Sequence, residues 1–276
     1  MPEDLGPWVE LVRGGGVVVL SGAGLSTESG IPDYRGPDGL RRVTPMQYGE
    51  FVSSGAARQR YWARSYVGWA RLASAGPNDG HRAVAALERL GAVDLVITQN
   101  VDGLHQRAGT REVVELHGSL AEVVCLRCGD RTSRVDLDRR MRDANPSYEV
   151  RTNEIRPDGD ISLDDLDVAG FVAPRCLVCG EDMLKPDVVF FGESVPRARV
   201  DRCFDAVDRA QALLVLGSSL AVMSGYRFVR RAAARGTPVA ILTLGPTRGD
   251  EQATLRLQAP LGAQLTRLVA VLGRPG

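Results

Sequence analysis

Val17-Val18-Val19-Leu20-Ser21-Gly22-Ala23-Gly24-Leu25-Ser26-Thr27 is the stretch from which the fold can be read. Its first four residues are apolar without interruption, and a glycine-rich turn follows. A strand with one face in water alternates apolar and polar residues. An unbroken apolar run predicts a strand buried on both faces, as in a parallel sheet. Leu95-Val96-Ile97-Thr98, Ala212-Leu213-Leu214-Val215-Leu216 and Pro238-Val239-Ala240-Ile241-Leu242 repeat the pattern, with helix-like stretches such as His81–Leu90 and Gly225–Arg235 between them. This alternation predicts an α/β fold on a Rossmann-like, doubly wound parallel sheet. Glycines at the first strand-to-helix turn let a backbone approach a diphosphate, and a helix N-terminus there supplies N–H donors. The third glycine of the full dinucleotide fingerprint is absent, Thr27 standing in its place, and no carboxylate closes a second strand about 20 residues on. A plain dehydrogenase is therefore disfavoured, while dinucleotide binding stands.

Two segments break the alternation: 36–80, with its aromatic run from Tyr61-Trp62 to Trp69, and 122–185, with the polar stretch Asn145–Asp167. The second holds two Cys-x-x-Cys pairs, Cys125/Cys128 and Cys176/Cys179. Two such pairs complete the tetrahedral four-thiolate set of structural zinc, which leaves no coordination position open for water or substrate. The pairs are 47 residues apart, more than the ~15–20 of a zinc ribbon, so the site tolerates a long excursion. Cys203 lies in a helix-like stretch and reads as a small apolar residue. The expected organisation is one catalytic unit over 1–276. A Rossmann-like domain takes 1–35, 81–121 and 186–276, and a small helical, zinc-binding domain takes 36–80 and 122–185.

The chain has 276 residues, 44% of them hydrophobic, and a formal net charge of zero. That charge gives no general attraction to nucleic acid. No apolar run reaches the ~18 residues of a membrane span. The acidic start, MPEDLGPWVE, lacks a signal-peptide core and an Arg-rich leader. Thiols intended for zinc argue for a reducing compartment, and a cytoplasmic location is expected. The basic residues are almost all arginine, Lys185 being the only lysine, which reads as genomic base composition.

Gly22-Ala23-Gly24-Leu25-Ser26-Thr27-Glu28-Ser29-Gly30-Ile31-Pro32-Asp33-Tyr34-Arg35 resembles the NAD-binding signature of the sirtuins, the NAD-dependent protein-lysine deacylases. Thr98-Gln99-Asn100-Val101-Asp102, Glu115-Leu116-His117-Gly118, the cysteine pairs, Val189-Phe190-Phe191-Gly192-Glu193 and Gly217-Ser218-Ser219-Leu220 follow in the family's order. The resemblance runs from about residue 10 to the C-terminus. PDYR, the long gap between the cysteine pairs, LKPDVVFFGE and the ending GPTR are most similar to the class II branch.

The resemblance implies that the oxygen of an acyl-lysine amide displaces nicotinamide from the ribose of NAD, giving free lysine and an O-acyl-ADP-ribose. Protein mono-ADP-ribosyl transfer, which shares the NAD pocket, is the alternative. By motif matching, Ile31 and Asp33 line the nicotinamide pocket with Asn100 and Asp102, and Gln99 reaches the ribose. Gly22, Ala23, Gly24, Ser26, Tyr34, Arg35, Gly217, Ser218, Ser219, Thr243 and Gly245 complete the NAD set, with Gly217, Ser218 and Ser219 expected to follow a strand and open a helix whose start receives phosphate or ribose oxygens. Thr243 stands where the family usually has asparagine, and one hydroxyl cannot span two partners as a carboxamide does. His117, with an ordinary pKa of ~6.5, suits the general base that deprotonates a ribose hydroxyl. His81 and His105 read as structural, and Asp102 can also cap a helix. Val189, Phe191, Gly192 and Glu193 are expected on a strand edge onto which the acyl-lysine peptide adds, with Val188 and Phe190 turned to the core. Tyr61 and Arg64 have the Tyr-x-x-Arg spacing of acidic-acyl sirtuins, a pair able to hold a carboxylate. On a helix, however, i and i+3 share a face whether or not they meet a ligand. A pocket for longer or branched acyl groups is therefore expected.

Overall fold

The structure is a computed structural model and describes residues 5–36, 38, 40, 45–148 and 168–273. Strands β1 (Val17–Ser21), β2 (Val93–Thr98) and β3 (Val113–Glu115) join β7 (Ala212–Leu216), β8 (Val239–Leu242) and β9 (Leu255–Leu257) in one six-stranded sheet. Its order is β3-β2-β1-β7-β8-β9, and every pairing is parallel. Each apolar run supplies two cores, because neighbouring side chains leave a strand on opposite faces. Val17, Val19, Val96, Leu214 and Leu242 face α1 (Gly6–Arg13), α4 (Asp79–Arg89) and α9 (Leu261–Leu272). Val18, Leu20, Ile97, Val215 and Ile241 face α7 (Arg197–Arg209), where Cys203 is buried, and α8 (Met223–Ala234). Full burial of one such side chain is worth about 1.5–3 kcal/mol.

Three further strands, β4 (Gly118–Cys125), β5 (Arg131–Ser133) and β6 (Leu184–Val188), form a separate antiparallel sheet in the order β5-β4-β6. Gly118 has φ +82°, and a Cβ there would lie 1.9 Å from the Asp187 carbonyl oxygen, so only glycine lets β4 begin against β6 directly after His117. Helices α2 (Tyr48–Ser53), α3 (Gly55–Ser74) and α6 (Arg134–Ala144) share a core with this sheet, around Phe51, Trp62, Val123, Leu137 and Leu184. Arg134 is buried in it, its guanidinium 4.5 Å from the Trp69 ring centroid and bonded to Asp138. Most of the polar stretch Asn145–Asp167, residues 149–167, lies outside the described residues. No helix among the described residues is long and apolar enough to cross a membrane.

Three local expectations are corrected. First, β1 is followed by two short 3-10 turns, Ala23–Leu25 and Thr27–Ser29, and not by an α-helix. Second, Gly217–Leu220 does not open a helix: Gly217 and Leu220 both have positive φ, and α8 begins only at Met223. Third, the strand expected over Val189–Glu193 ends at Val188. The Glu193 N–H returns to the Phe190 carbonyl at 3.0 Å and Gly192 has φ +83°, so the chain turns there, keeping a single parallel bridge from Phe191 to Gln47.

Candidate functional site

The sheet order reverses between β1 and β7, and a parallel sheet binds ligands beyond the carboxyl ends of its strands at such a point. The loops after these two strands are locked together. The Gly22 N–H donates to the Leu216 carbonyl at 2.9 Å, and the Gly24 N–H to the Gly217 carbonyl at 2.8 Å. A Cβ on Gly217 would lie 2.4 Å from the Leu25 nitrogen, and one on Gly24 2.8 Å from the Gly217 oxygen. The glycines are thus required by contact between the two loops. The Gly24 amide in particular is committed to that contact, contrary to the expectation that the turn leaves its amides for a diphosphate.

Beside these loops lies a cavity of about 820 Å³. Its wall includes Gly22, Ala23, Gly24, Ser26, Ile31, Asp33, Tyr34, Arg35, Gln99, Asn100, Asp102, His117, Gly217, Ser218, Ser219 and Thr243 from the first set of candidates. Val189, Phe191, Gly192 and Glu193 line it too. Gly245 is not in the wall. Nor is Arg64, whereas Tyr61 is, packed edge-on against Phe51 and Trp62, so Tyr61 and Arg64 do not converge on the cavity.

His117 comes from the β3–β4 connection. Its Nδ1 is 2.9 Å from the Gln99 carbonyl oxygen, an obligate acceptor, so Nδ1 carries the proton. Its Nε2 is 2.8 Å from the Ser224 hydroxyl, at the first turn of α8. Burial pushes its pKa down to about 4; the Gln99 bond pulls upward, while the Arg199 and Arg227 charges add to the fall. At neutral pH the ring is uncharged, and its Nε2 lone pair accepts from Ser224. Ser224 and Arg227 both line the cavity and were not singled out from the sequence. A serine at a helix start carries no local signal for a bond that spans 107 positions.

The other polar groups are fixed in the same way. Both amide protons of Asn100 are engaged, by the Gly22 carbonyl at 3.1 Å and the Ser26 hydroxyl oxygen at 3.0 Å, so its side-chain carbonyl is what it can offer a ligand. Asp102 accepts from the Ser26 hydroxyl at 2.7 Å and from the Leu104 N–H at 3.0 Å; the N-cap of the short helix α5 (Leu104–Arg107) is Gly103, so Asp102 stands one residue before the cap position expected for it. Gln99 Nε2 donates to the Ser21 carbonyl and the Ser218 hydroxyl. His105 bonds Ser21 at 2.8 Å beneath the site, and His81 accepts from the Asn78 N–H at the start of α4, so both are structural.

Away from the cavity, the four paired cysteines place their sulfurs within 4.8 Å of one another, with Cys125–Cys179 at 3.6 Å and Cys128–Cys176 at 3.7 Å. A tetrahedron with Zn–S of about 2.3 Å has sulfurs about 3.8 Å apart, so the set fits zinc and has no open position. The two turns are alike: the Gly129 N–H returns to the Cys125 carbonyl and the Gly180 N–H to that of Cys176.

Residues 22–224 match the Sir2 family. The NAD-dependent protein deacetylase 1 of Streptomyces coelicolor is 56% identical, over 98% of this chain and 90% of that protein. The human mitochondrial NAD-dependent protein lipoamidase sirtuin-4 is 47% identical, over 90% of this chain and 80% of that protein. A solved structure described as "Sir2-p53 peptide-NAD+" superposes with a TM-score of 0.77 at 30% identity, covering 98% of this chain and 99% of the other. With the glycine turn, the His117 segment and the cysteine tetrad in their places, the chain belongs to the Sir2 family.

Proposed function

We propose that this chain is an NAD-dependent protein-lysine deacylase, passing the acyl group from lysine to ADP-ribose with release of nicotinamide. One observation carries the reading: His117 is a neutral imidazole, protonated on Nδ1, at the wall of the cavity shared by the glycine turn and Val189–Glu193. The names of the relatives favour deacylation over mono-ADP-ribosyl transfer. NAD, when bound, supplies the electrophilic ribose carbon.

The protein's own residues orient and deprotonate. Asn100 presents its carbonyl oxygen, and Asp102 its fixed carboxylate, to the nicotinamide amide, with Ile31 and Asp33 closing that end. Gln99 would hold the ribose, and Gly217, Ser218, Ser219 and Thr243, which line the same cavity, would hold the remainder of the dinucleotide. His117 takes the ribose hydroxyl proton on Nε2, displacing the Ser224 hydroxyl. Val189, Phe191, Gly192 and Glu193 hold the acyl-lysine peptide through main-chain hydrogen bonds. The cysteine tetrad holds one zinc and takes no part in the chemistry. The division into a Rossmann-like domain (1–35, 81–121, 186–276) and a zinc-binding domain (36–80, 122–185) is supported in outline by the two separate sheets, with β4 and β6 crossing its bounds at 121/122 and 185/186. Cytoplasmic residence is supported by the free cysteines.

The test is a panel of one peptide bearing acetyl, lipoyl-like, succinyl and glutaryl groups, with NAD labelled in the ADP-ribose. Free lysine and nicotinamide should form in equal amounts, with label on the released acyl group; label retained on protein would overturn the reading. Longer or branched acyl groups should have the higher kcat/KM, and Arg64→Ala should leave the acyl order unchanged. Acetyl as the clear best substrate would remove the class II assignment.

A further inference from the structure

Lys185, the only lysine of the chain, lies in β6 and is 3% exposed. A buried ammonium is tolerated only where its protons are used. Lys185 has three protons and three acceptors. Nζ is 3.0 Å from Glu193 Oε2, 2.5 Å from the Val188 carbonyl oxygen and 3.3 Å from that of Pro186. It also stands 4.7 Å from the centroid of the Phe190 ring. Glu193 Oε2 in turn accepts from the Phe190 N–H at 2.8 Å. Burial lowers the lysine pKa, and the Glu193 carboxylate opposes that fall.

Apart from Pro186 and the Tyr48 ring, 5.9 Å away on α2, the groups around the ammonium belong to the segment that leaves β6 and forms the cavity wall: Val188, Phe190 and Glu193 all line it. The ammonium grips the segment at its first residue, on the ring at its middle and at the carboxylate that closes its turn. That cross-brace explains why the chain turns after Val188. It also leaves Val189 to bond the His117 carbonyl at 2.8 Å and Phe191 to bond the Tyr48 N–H. We propose that Lys185 is a positioning residue for the acyl-lysine peptide, setting the path of Val188–Glu193 through its bonds to Val188 and Glu193. The inference rests on the reading that this segment is the peptide edge.

Lys185→Met keeps an unbranched four-atom stem and removes the ammonium, but leaves the Glu193 carboxylate without its counter-charge. Lys185→Met combined with Glu193→Gln removes both charges, so a loss caused only by an unpaired carboxylate is recovered in the double variant. Both are compared with the wild type for Tm, zinc content, NAD affinity by calorimetry and KM for the acyl peptide. Expected are a peptide KM raised about tenfold or more in both variants, NAD affinity within about twofold of wild type, and a Tm that falls in the single variant and recovers in the double one. A double variant that recovers peptide KM together with Tm would show a structural role only and overturn the inference. So would parallel losses of NAD and peptide affinity. A peptide N-methylated beside the acyl-lysine, given to the wild type, separates the two readings. If methylation raises KM and Lys185→Met does not, the positioning role alone fails. If methylation leaves KM unchanged, the peptide-edge reading fails and the positioning role with it.

Discussion

His117 shows how two neighbours set the protonation state of one side chain. A backbone carbonyl on Nδ1 fixes the tautomer, and the Ser224 hydroxyl on Nε2 favours the neutral ring. With the pKa pushed down to about 4, chiefly by burial, the imidazole is already unprotonated throughout the range in which free histidine titrates. The acid limb of kcat/KM for the acyl peptide should therefore lie nearer pH 4 than 6.5. Ser224→Ala, which removes a donor to the neutral form, should move that limb upward. His117→Ala or His117→Tyr should abolish deacylation with fold and zinc content unchanged. A general base supplies ~10²–10⁴-fold, so a variant keeping more than about a tenth of kcat would show that the proton goes elsewhere.

At the scale of elements, the zinc turns and α3 behave as one piece. Arg58 of α3 makes a bidentate pair with Asp182, just past the second cysteine turn, and Trp62 Nε1 donates to the Leu184 carbonyl at 2.9 Å. Tyr61, between them, stands in the cavity wall. Changing Cys125 and Cys128 together to serine should lose about one zinc per chain, lower Tm and weaken peptide turnover, because structural metal binding is coupled to folding. Zinc content that survives the double change would defeat the four-thiolate site. The same elements show what the sequence could and could not disclose. The four long apolar strands were legible because a strand buried on both faces needs no partner to explain its composition. β3 and β9, three residues each, were too short to stand out. The sequence places β6 a few residues late, since Lys185 and Pro186 argue against a central strand, whereas β6 is an edge strand paired only with β4, where a proline is tolerated and Glu193 accompanies the lysine. Motif residues of the cavity were legible in order. Ser224 and Arg227 were not, because only the folded chain brings α8 to His117.

For the whole molecule, the three histidines make folding stability a function of pH. His81 and His105 are fully buried, their rings 5.2 Å apart, and His117 is held in the cavity wall. Burial is the leading cause in each case, bringing His81 to about 4, His105 to about 3 and His117 to about 4. His81 closes the capping box of α4 as an acceptor from the Asn78 N–H, a role that protonation of Nδ1 abolishes. All three folded-state values lie below the ~6.5 of an unfolded chain. Between pH 6.5 and about 4 the unfolded state therefore binds the protons first, and stability falls as pH falls. The stabilisation is present in full above 6.5, and each histidine costs about 1.4 kcal/mol for every pH unit within the window. Ordinary carboxylates titrate near ~4, so a loss between pH 6.5 and 5 belongs to the histidines. Urea unfolding at pH 7, 6 and 5 should show the midpoint dropping at each step. The drop should be smaller in His105→Asn, which keeps a polar group near Ser21 but does not titrate. A midpoint unchanged from pH 7 to 5 would mean that the buried rings are already charged in the fold or that water reaches them.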